Sequence, residues 1–171
     1  MTEVIKFEFF TPGKQPPDNV LELVAAGINK ETETMVPVTP ETLWLSPLSL
    51  VLSIRGVPAA YGRYKRPDEQ ATPVISQTTS GDTTILGGKF RQIGSLWVPN
   101  DFRGKELGKH VIKRLTCART AEDWVPYALC RTGSSLRRFL DCGYELAVAT
   151  YPGLDRPGRA CAVYTQGRVP A

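Results

Sequence analysis

The sequence predicts one mixed α/β domain, of the α+β kind, with helices flanking a mainly antiparallel twisted sheet. Two patterns lead there. Residues 48–54 and 57–64 are strand-like runs separated only by Arg55 and Gly56, which reads as an antiparallel hairpin. Residues 90–130 read as strand, loop, helix and strand, a βαβ unit. The length of 171 residues suits a single domain over residues 1–171, and neither a linker nor an internal repeat divides it.

Residues 4–10 alternate, with Ile5, Phe7 and Phe9 on one face and Lys6 and Glu8 on the other, the period of a half-buried strand. Pro12, Gly13, Pro16 and Pro17 end it. Asp18 is placed to cap a helix whose apolar stripe is Val20, Leu21, Val24 and Ile28. Thr39-Pro40-Glu41 predicts a second, short helix with proline in its first turn, stopped by Ser46-Pro47. After the hairpin, residues 66–89 carry a short strand around residues 74–77 and turn signals at Ser80-Gly81-Asp82 and Gly87-Gly88, a long hairpin or flap. Residues 90–98 are strand-like and 99–105 form a loop. Leu107, Val111, Leu115 and Ala118 make a helical stripe, and residues 125–130 suit an interior strand. Thr132 is placed to cap a helix bearing Leu136, Phe139 and Leu140, closed by Gly143. Residues 147–151 and 160–165 read as the last two strands.

Hydrophobic residues make up 42% and charged residues 22%, and no apolar stretch is long enough to cross a bilayer. The first ten residues lack the basic-then-apolar order of a signal peptide, so the expected location is the cytoplasm, without a membrane partner. A net charge of +4 and a pI near 8.9 fit an anionic ligand. The basic residues are spread along the chain without the dense arm of a nucleic-acid binder, so nucleic acid is not the expected partner. Cys117, Cys130, Cys142 and Cys161 form no CxxC pair, and with His110 as the sole histidine they make no zinc set. They read as reduced thiols, and no metal is expected.

The chemistry concentrates in residues 95–109. A strand runs into a basic, glycine-containing loop that opens directly into a helix. Unpaired N–H groups at a helix start favour an anion, and glycine lets a phosphate approach the backbone. Arg103, Lys105 and Lys109 add positive charge. The run from Val98 through Arg103-Gly104 to Gly108 resembles motif A of the GNAT N-acyltransferases, V-x-P-x-x-R-G-x-G-x-G. Thr132, Ser135, Phe139, Gly143 and Tyr144 resemble that family's late-helix pattern N-x-x-A-x-x-x-Y-x-x-x-G-[FY]. The resemblance implies strands splayed at the cofactor site and acetyl-CoA, or another acyl-CoA, as co-substrate. By it, Leu96, Trp97 and Val98 line the pantetheine arm, and Arg103, Gly104, Lys105, Glu106, Leu107 and Gly108 cradle the pyrophosphate. Lys109 takes a phosphate role and Thr132 hydrogen-bonds the cofactor.

Two positions depart from the pattern. Glu106 replaces the first glycine of the G-x-G pair, where its carboxylate must turn to solvent or pair with Lys109 or Arg103. Phe139 replaces the tyrosine that often protonates the leaving thiolate. Tyr144, at the aromatic position after the glycine, is the remaining acid candidate, although that position usually packs. For a general base, Glu22, Glu41 and Asp101 read as solvated, and His110 as a helix-start histidine facing no nucleophile. The expected function is therefore transfer of an acyl group, most simply acetyl, to the amine of a small molecule or peptide by direct attack on the thioester. The alternative is a catalytically impaired domain of the same fold that binds a ligand or partner. The sheet edges formed by the C-terminal strands are suited to pairing in a homodimer.

Overall fold

The computed structural model describes residues 4–31, 37–69, 77–78, 81–82, 90–118, 124–131, 133–146 and 159–164. Among them the chain runs β1 (Ile5–Phe10), α1 (Asp18–Glu31), α2 (Pro40–Trp44), β2 (Leu48–Ile54), β3 (Val57–Tyr64), β4 (Gln77–Thr78), β5 (Gly81–Asp82), β6 (Phe90–Trp97), a 3-10 turn (Asn100–Phe102), α3 (Leu107–Cys117), β7 (Val125–Arg131), α4 (Ser134–Leu140), β8 (Tyr144–Leu146) and β9 (Arg159–Tyr164). Seven strands form one sheet in the order β1-β2-β3-β6-β7-β9-β8. It is antiparallel except where β6 lies beside β7, and β4 and β5 form a separate two-stranded ribbon. This is the mixed, mainly antiparallel architecture read from the sequence.

Two opposed cores explain why β2 reads as an almost continuous apolar run. Leu48, Leu50, Leu52 and Ile54 face α3, where Leu107, Val111, Ile112 and Leu115 complete one cluster. Val51, between them, faces α1 on the other side, with Leu21, Val24, Ala25 and Ile28 of α1 and Leu43 of α2. A strand covered on both faces has no polar side to alternate with. Each such side chain withdrawn from water contributes roughly 1.5–3 kcal/mol, before the entropy of ordering is counted. The helix α3 comes unusually near the sheet at Gly62: a Cβ there would lie 2.6 Å from Val111 Cγ1 and 2.8 Å from Leu96 Cδ2.

Arg55 (φ 52°) and Gly56 (φ 79°) close the β2–β3 hairpin. Two consecutive left-handed residues give the I′ type of turn, whose twist matches the strands it joins. Thr39 caps α2, its hydroxyl accepting from the Thr42 N–H at 3.2 Å. Asp18 is the first helical residue of α1 and not the residue before it, because the Pro17 carbonyl already accepts from the Val20 and Leu21 N–H groups. Its charge still complements the helix dipole. Gly133, and not Thr132, occupies the position before α4, with φ 91° and no side-chain cap; Thr132 itself lies outside the described residues. The glycine expected to close α4 does so, Gly143 standing at φ 89°. The strand expected at residues 147–151 also lies outside the described residues, while β8 starts earlier, at Tyr144. No described helix is long and apolar enough to cross a membrane, and no described group of three or more His, Cys, Asp or Glu side chains is placed to hold a metal.

Candidate active site

The parallel pairing of β6 with β7 covers three positions, Phe90 with Val125, Arg91 with Pro126 and Gln92 with Tyr127. Both strands then continue, β6 along β3 to Trp97 and β7 along β9 to Arg131, with no further pairing between them. The sheet therefore opens into a V whose walls are strand backbone, so the polar groups facing the gap look for a partner from outside the sheet.

A bulge in β6 coincides with this opening. On β3 only Gly62 separates Tyr61 from Arg63, whereas on β6 both Ser95 and Leu96 separate their partners Trp97 and Gly94. Two residues facing one is a β-bulge, and it re-aims the strand beyond it. Ser95 carries the left-handed backbone, φ 51°, a conformation that costs a non-glycine residue about 1 kcal/mol or more.

Beside the end of β6, beyond its pairing with β7, lies a cleft of about 390 Å³ at the N-terminal end of α3. Leu96, Trp97 and Val98 of the β6 end form one wall. Arg103, Gly104, Glu106, Leu107 and Gly108 form the floor. Ser134, Ser135, Arg138 and Phe139 of α4 close the far side, with Glu31 from the end of α1 and Tyr61 from β3. The loop is shaped by left-handed residues at Gly104 (φ 82°) and Glu106 (φ 56°). The Glu106 carbonyl accepts from the Lys109 N–H, so the Leu107 and Gly108 N–H groups belong to the first turn, where helix geometry supplies no acceptor.

The side chains of this loop are disposed less simply than their charges suggest. Glu106 turns its carboxylate back along α3 to Lys109, Oε1 to Nζ 2.7 Å, and Lys109 also bonds Asp141 Oδ2 at 2.8 Å. Those two carboxylates, Asp141 foremost, push the Lys109 ammonium up to about 12, and Lys109 holds both carboxyls below their ordinary values. Arg103 pairs with Glu31 and donates from Nε to the Val98 carbonyl at 3.3 Å. Lys105 lies over the Phe102 ring, 5.9 Å from its centre. Arg138 alone lines the cleft with no carboxylate paired to it among the described residues. Its Cδ and Nη1 lie 3.7 and 3.9 Å from where a Gly108 Cβ would stand, so the guanidinium is laid over the start of α3.

The Glu106–Lys109–Asp141 group should show in acid. A carboxyl with a lowered folded-state pKa adds stability above its ordinary pKa, and that contribution is lost as pH falls through the lowered value. Lys109→Met is therefore expected to lower the urea midpoint at neutral pH and to flatten its decline towards acid. A midpoint-against-pH curve parallel to that of the wild type would contradict the pairing.

Eight of the sequence candidates line the cleft: Leu96, Trp97, Val98, Arg103, Gly104, Glu106, Leu107 and Gly108. Lys105 and Lys109 sit outside its lining, and Thr132 lies outside the described residues. Tyr144 is not at the cleft; it is 3% exposed, its hydroxyl is hydrogen-bonded with Thr116 Oγ1 at 2.7 Å, and its ring packs edge-on to Phe139. Burial raises its pKa well above the ordinary value. It is a core residue. Phe139 does line the cleft, at the tyrosine position of the late-helix pattern. Arg138 and Glu31 escaped the sequence reading. Ser134, Ser135 and Arg138 share one helical face by their i, i+3 and i, i+4 spacing, but only the packing of α4 against α3 turns that face to the loop.

No protein-family model matches the sequence, and no curated protein matches it by sequence. The fold is that of the GNAT-type N-acyltransferases. Escherichia coli ElaA superposes with a TM-score of 0.66 at 13% identity, covering 95% of this chain and 100% of that one. An acyl-CoA N-acyltransferase from Pseudomonas aeruginosa gives 0.64 at 14% identity, covering 95% and 100%. Salmonella typhimurium yncA, assigned as an acetyltransferase and solved with its cofactor acetyl-CoA, gives 0.59 at 14% identity, covering 93% and 91%. At such identities the shared property is the fold.

Proposed function

We propose that this single domain is a cytoplasmic acyl-CoA-dependent N-acyltransferase, using acetyl-CoA as donor and the amine of a small molecule or peptide as acceptor. The observation that carries the reading is the cleft in which the end of β6, past its parting from β7, meets the N-terminus of α3. The residues present fit an acyl-coenzyme A: a diphosphate suits the first-turn N–H groups of Leu107 and Gly108 with Arg138 above them. An amide-bearing arm suits the strand backbone along Leu96, Trp97 and Val98.

The thioester brings an acyl group already activated towards amines. What the chain supplies is position and polarisation. Backbone N–H groups at the end of β6 would be the donors to the acyl carbonyl, and such donors stabilise developing negative charge most when water is excluded. Phe139 has no proton to give, so the leaving thiolate departs as an anion or takes its proton from water. A thiol pKa near 8.5 makes that departure tolerable. Glu31, paired with Arg103 at the rim of the cleft, is the carboxylate placed to meet an incoming ammonium.

The other reading, an impaired domain acting as a binding module, draws on Phe139 and on the neutralised charges of Arg103 and Lys109. It is not favoured, because the Glu106 carboxylate is paired with Lys109 and Arg138 supplies a cation at the anion site. Titration calorimetry with acetyl-CoA tests this. Arg138→Ala is expected to weaken binding about tenfold, the size of one lost charge-assisted hydrogen bond. Arg103→Ala is expected to cost less, because Glu31 already occupies that guanidinium. No binding at millimolar acetyl-CoA would remove the acyltransferase reading.

A further inference from the structure

Arg63 of β3 is 2% exposed, and nothing in the chemistry above uses it. Its guanidinium joins four segments: Nε donates to Ser95 Oγ at 3.1 Å, and Nη1 to the Thr42 carbonyl at 3.1 Å, to Ser46 Oγ at 3.3 Å and to Glu69 Oε2 at 2.8 Å. Nη2 lies 3.5 Å from Glu69 Oε1. A guanidinium is costly to bury, and its fixed fork is worth that cost where several acceptors must be held in one geometry. Here one arm of the fork reaches the left-handed residue of the β6 bulge.

The bulge decides what faces the cleft. Arg63 stands opposite Gly94, and the next register pair is Tyr61 with Trp97. If Ser95 fell back into regular strand geometry, the extra residue would slip along β6 and the register of Leu96 and Trp97 would move by one. A slip of one residue exchanges the two faces of a strand. Leu96 would leave the α3 side, where it meets Gly62, and Trp97 would leave the α1 side, where it meets Gly27.

We propose that Arg63 is a positioning residue for acyl transfer: by holding the Ser95 hydroxyl it fixes the bulge, and thereby aims the backbone of Leu96, Trp97 and Val98 at the acyl group of the donor. This rests on the acyltransferase reading of the cleft. Arg63 touches neither donor nor acceptor; it acts through Ser95, and the loop carrying Glu69 and the end of α2 brace it from behind.

Ser95→Gly separates positioning from plain structural support. It removes the hydroxyl that Arg63 grips, which leaves the buried Nε without that acceptor, but relieves the left-handed backbone, so the two effects offset and the melting temperature is expected to stay near that of the wild type. Over the same change kcat is expected to fall about tenfold, with KM for acetyl-CoA changing less than about threefold, because the diphosphate end is untouched. Arg63→Lys, which keeps charge but loses the fork, is expected to shift kcat the same way. In the ligand-free protein, amide hydrogen exchange at Leu96, Trp97 and Val98 is expected to quicken in both variants, a readout that needs no turnover. Wild-type kcat and unchanged exchange in Ser95→Gly would overturn the inference. A wild-type protein that binds no acetyl-CoA would overturn the acyltransferase reading instead, and the exchange rates would still show whether Arg63 holds the bulge.

Discussion

Gly27→Ala is expected to destabilise the protein by about 2 kcal/mol or more, the size of an overpacked core, and to abolish the thermal shift given by acetyl-CoA. Helix propensity argues the other way, since alanine inside a helix is favoured over glycine by about 1 kcal/mol. Packing decides the sign. Gly27 lies in the middle of α1 against the indole of Trp97, and an added Cβ would stand 2.2 Å from Nε1, 2.5 Å from Cε2 and 2.8 Å from Cζ2. The contact is with a rigid ring and not the free end of a flexible chain. Trp97 is 5% exposed and faces Tyr61 across the strand pair, so it has nowhere to move without carrying the end of β6 with it. That strand end is the wall of the cleft, and fold and ligand should therefore suffer together. Urea unfolding and a thermal shift titration measure the two effects. A stabilised Gly27→Ala protein would mean that α1 does not rest on Trp97 as described.

Glu106→Gly is expected to act in the opposite direction, raising affinity for acetyl-CoA about tenfold, a gain of about 1.4 kcal/mol. Two terms add. Glu106 holds φ at 56°, which glycine adopts without penalty. Removing the carboxylate takes a negative charge from the lining of an anion site and leaves Lys109 with one carboxylate partner in place of two. The lost Glu106–Lys109 pair is exposed and screened by solvent, so its loss offsets little of this. Glu106→Gln separates the terms, because it removes the charge and keeps the left-handed side chain. It is expected to give the affinity gain without the gain in melting temperature. Equal affinity in wild type and both variants would place the bound diphosphate away from the start of α3.

The legible parts of the sequence were those governed by local rules. The β2–β3 hairpin was read to the residue, because Arg55-Gly56 can only be a turn and both strands carry their apolar runs to its edge. The strand–loop–helix junction was equally clear, since Val98, Arg103, Gly104 and Gly108 are set by what the backbone must do there. What escaped depends on side chains that meet from distant segments. Arg103 looked like a free cation until the end of α1 brought Glu31 to it, 72 positions away in the chain. Arg138 carries no local signal, because only the packing of α4 against α3 brings it to the cleft. Arg63 carries no local signal beyond its strand, because its four partners, Thr42, Ser46, Glu69 and Ser95, lie in three other segments. The late tyrosine gave no local sign of the hydroxyl of Thr116 that holds it in the core.

The narrow junction between β6 and β7 also bears on how the chain assembles. One plate of the sheet, β1-β2-β3-β6, is drawn from the sequence up to Trp97; the other, β7-β9-β8, is drawn from Val125 onward. Each plate closes its own ladder, and only three residue pairs stitch them together. What joins the plates beyond those pairs is packing, for one core runs from Leu50 and Ile93 through Val111 and Leu115 of α3 to Ala128 and Ala162. A ligand lying in the seam would touch both plates at once and bind the whole more tightly than either half. On the proposed reading the donor lies where the strands are least joined, so acetyl-CoA is expected to stabilise the domain as a whole.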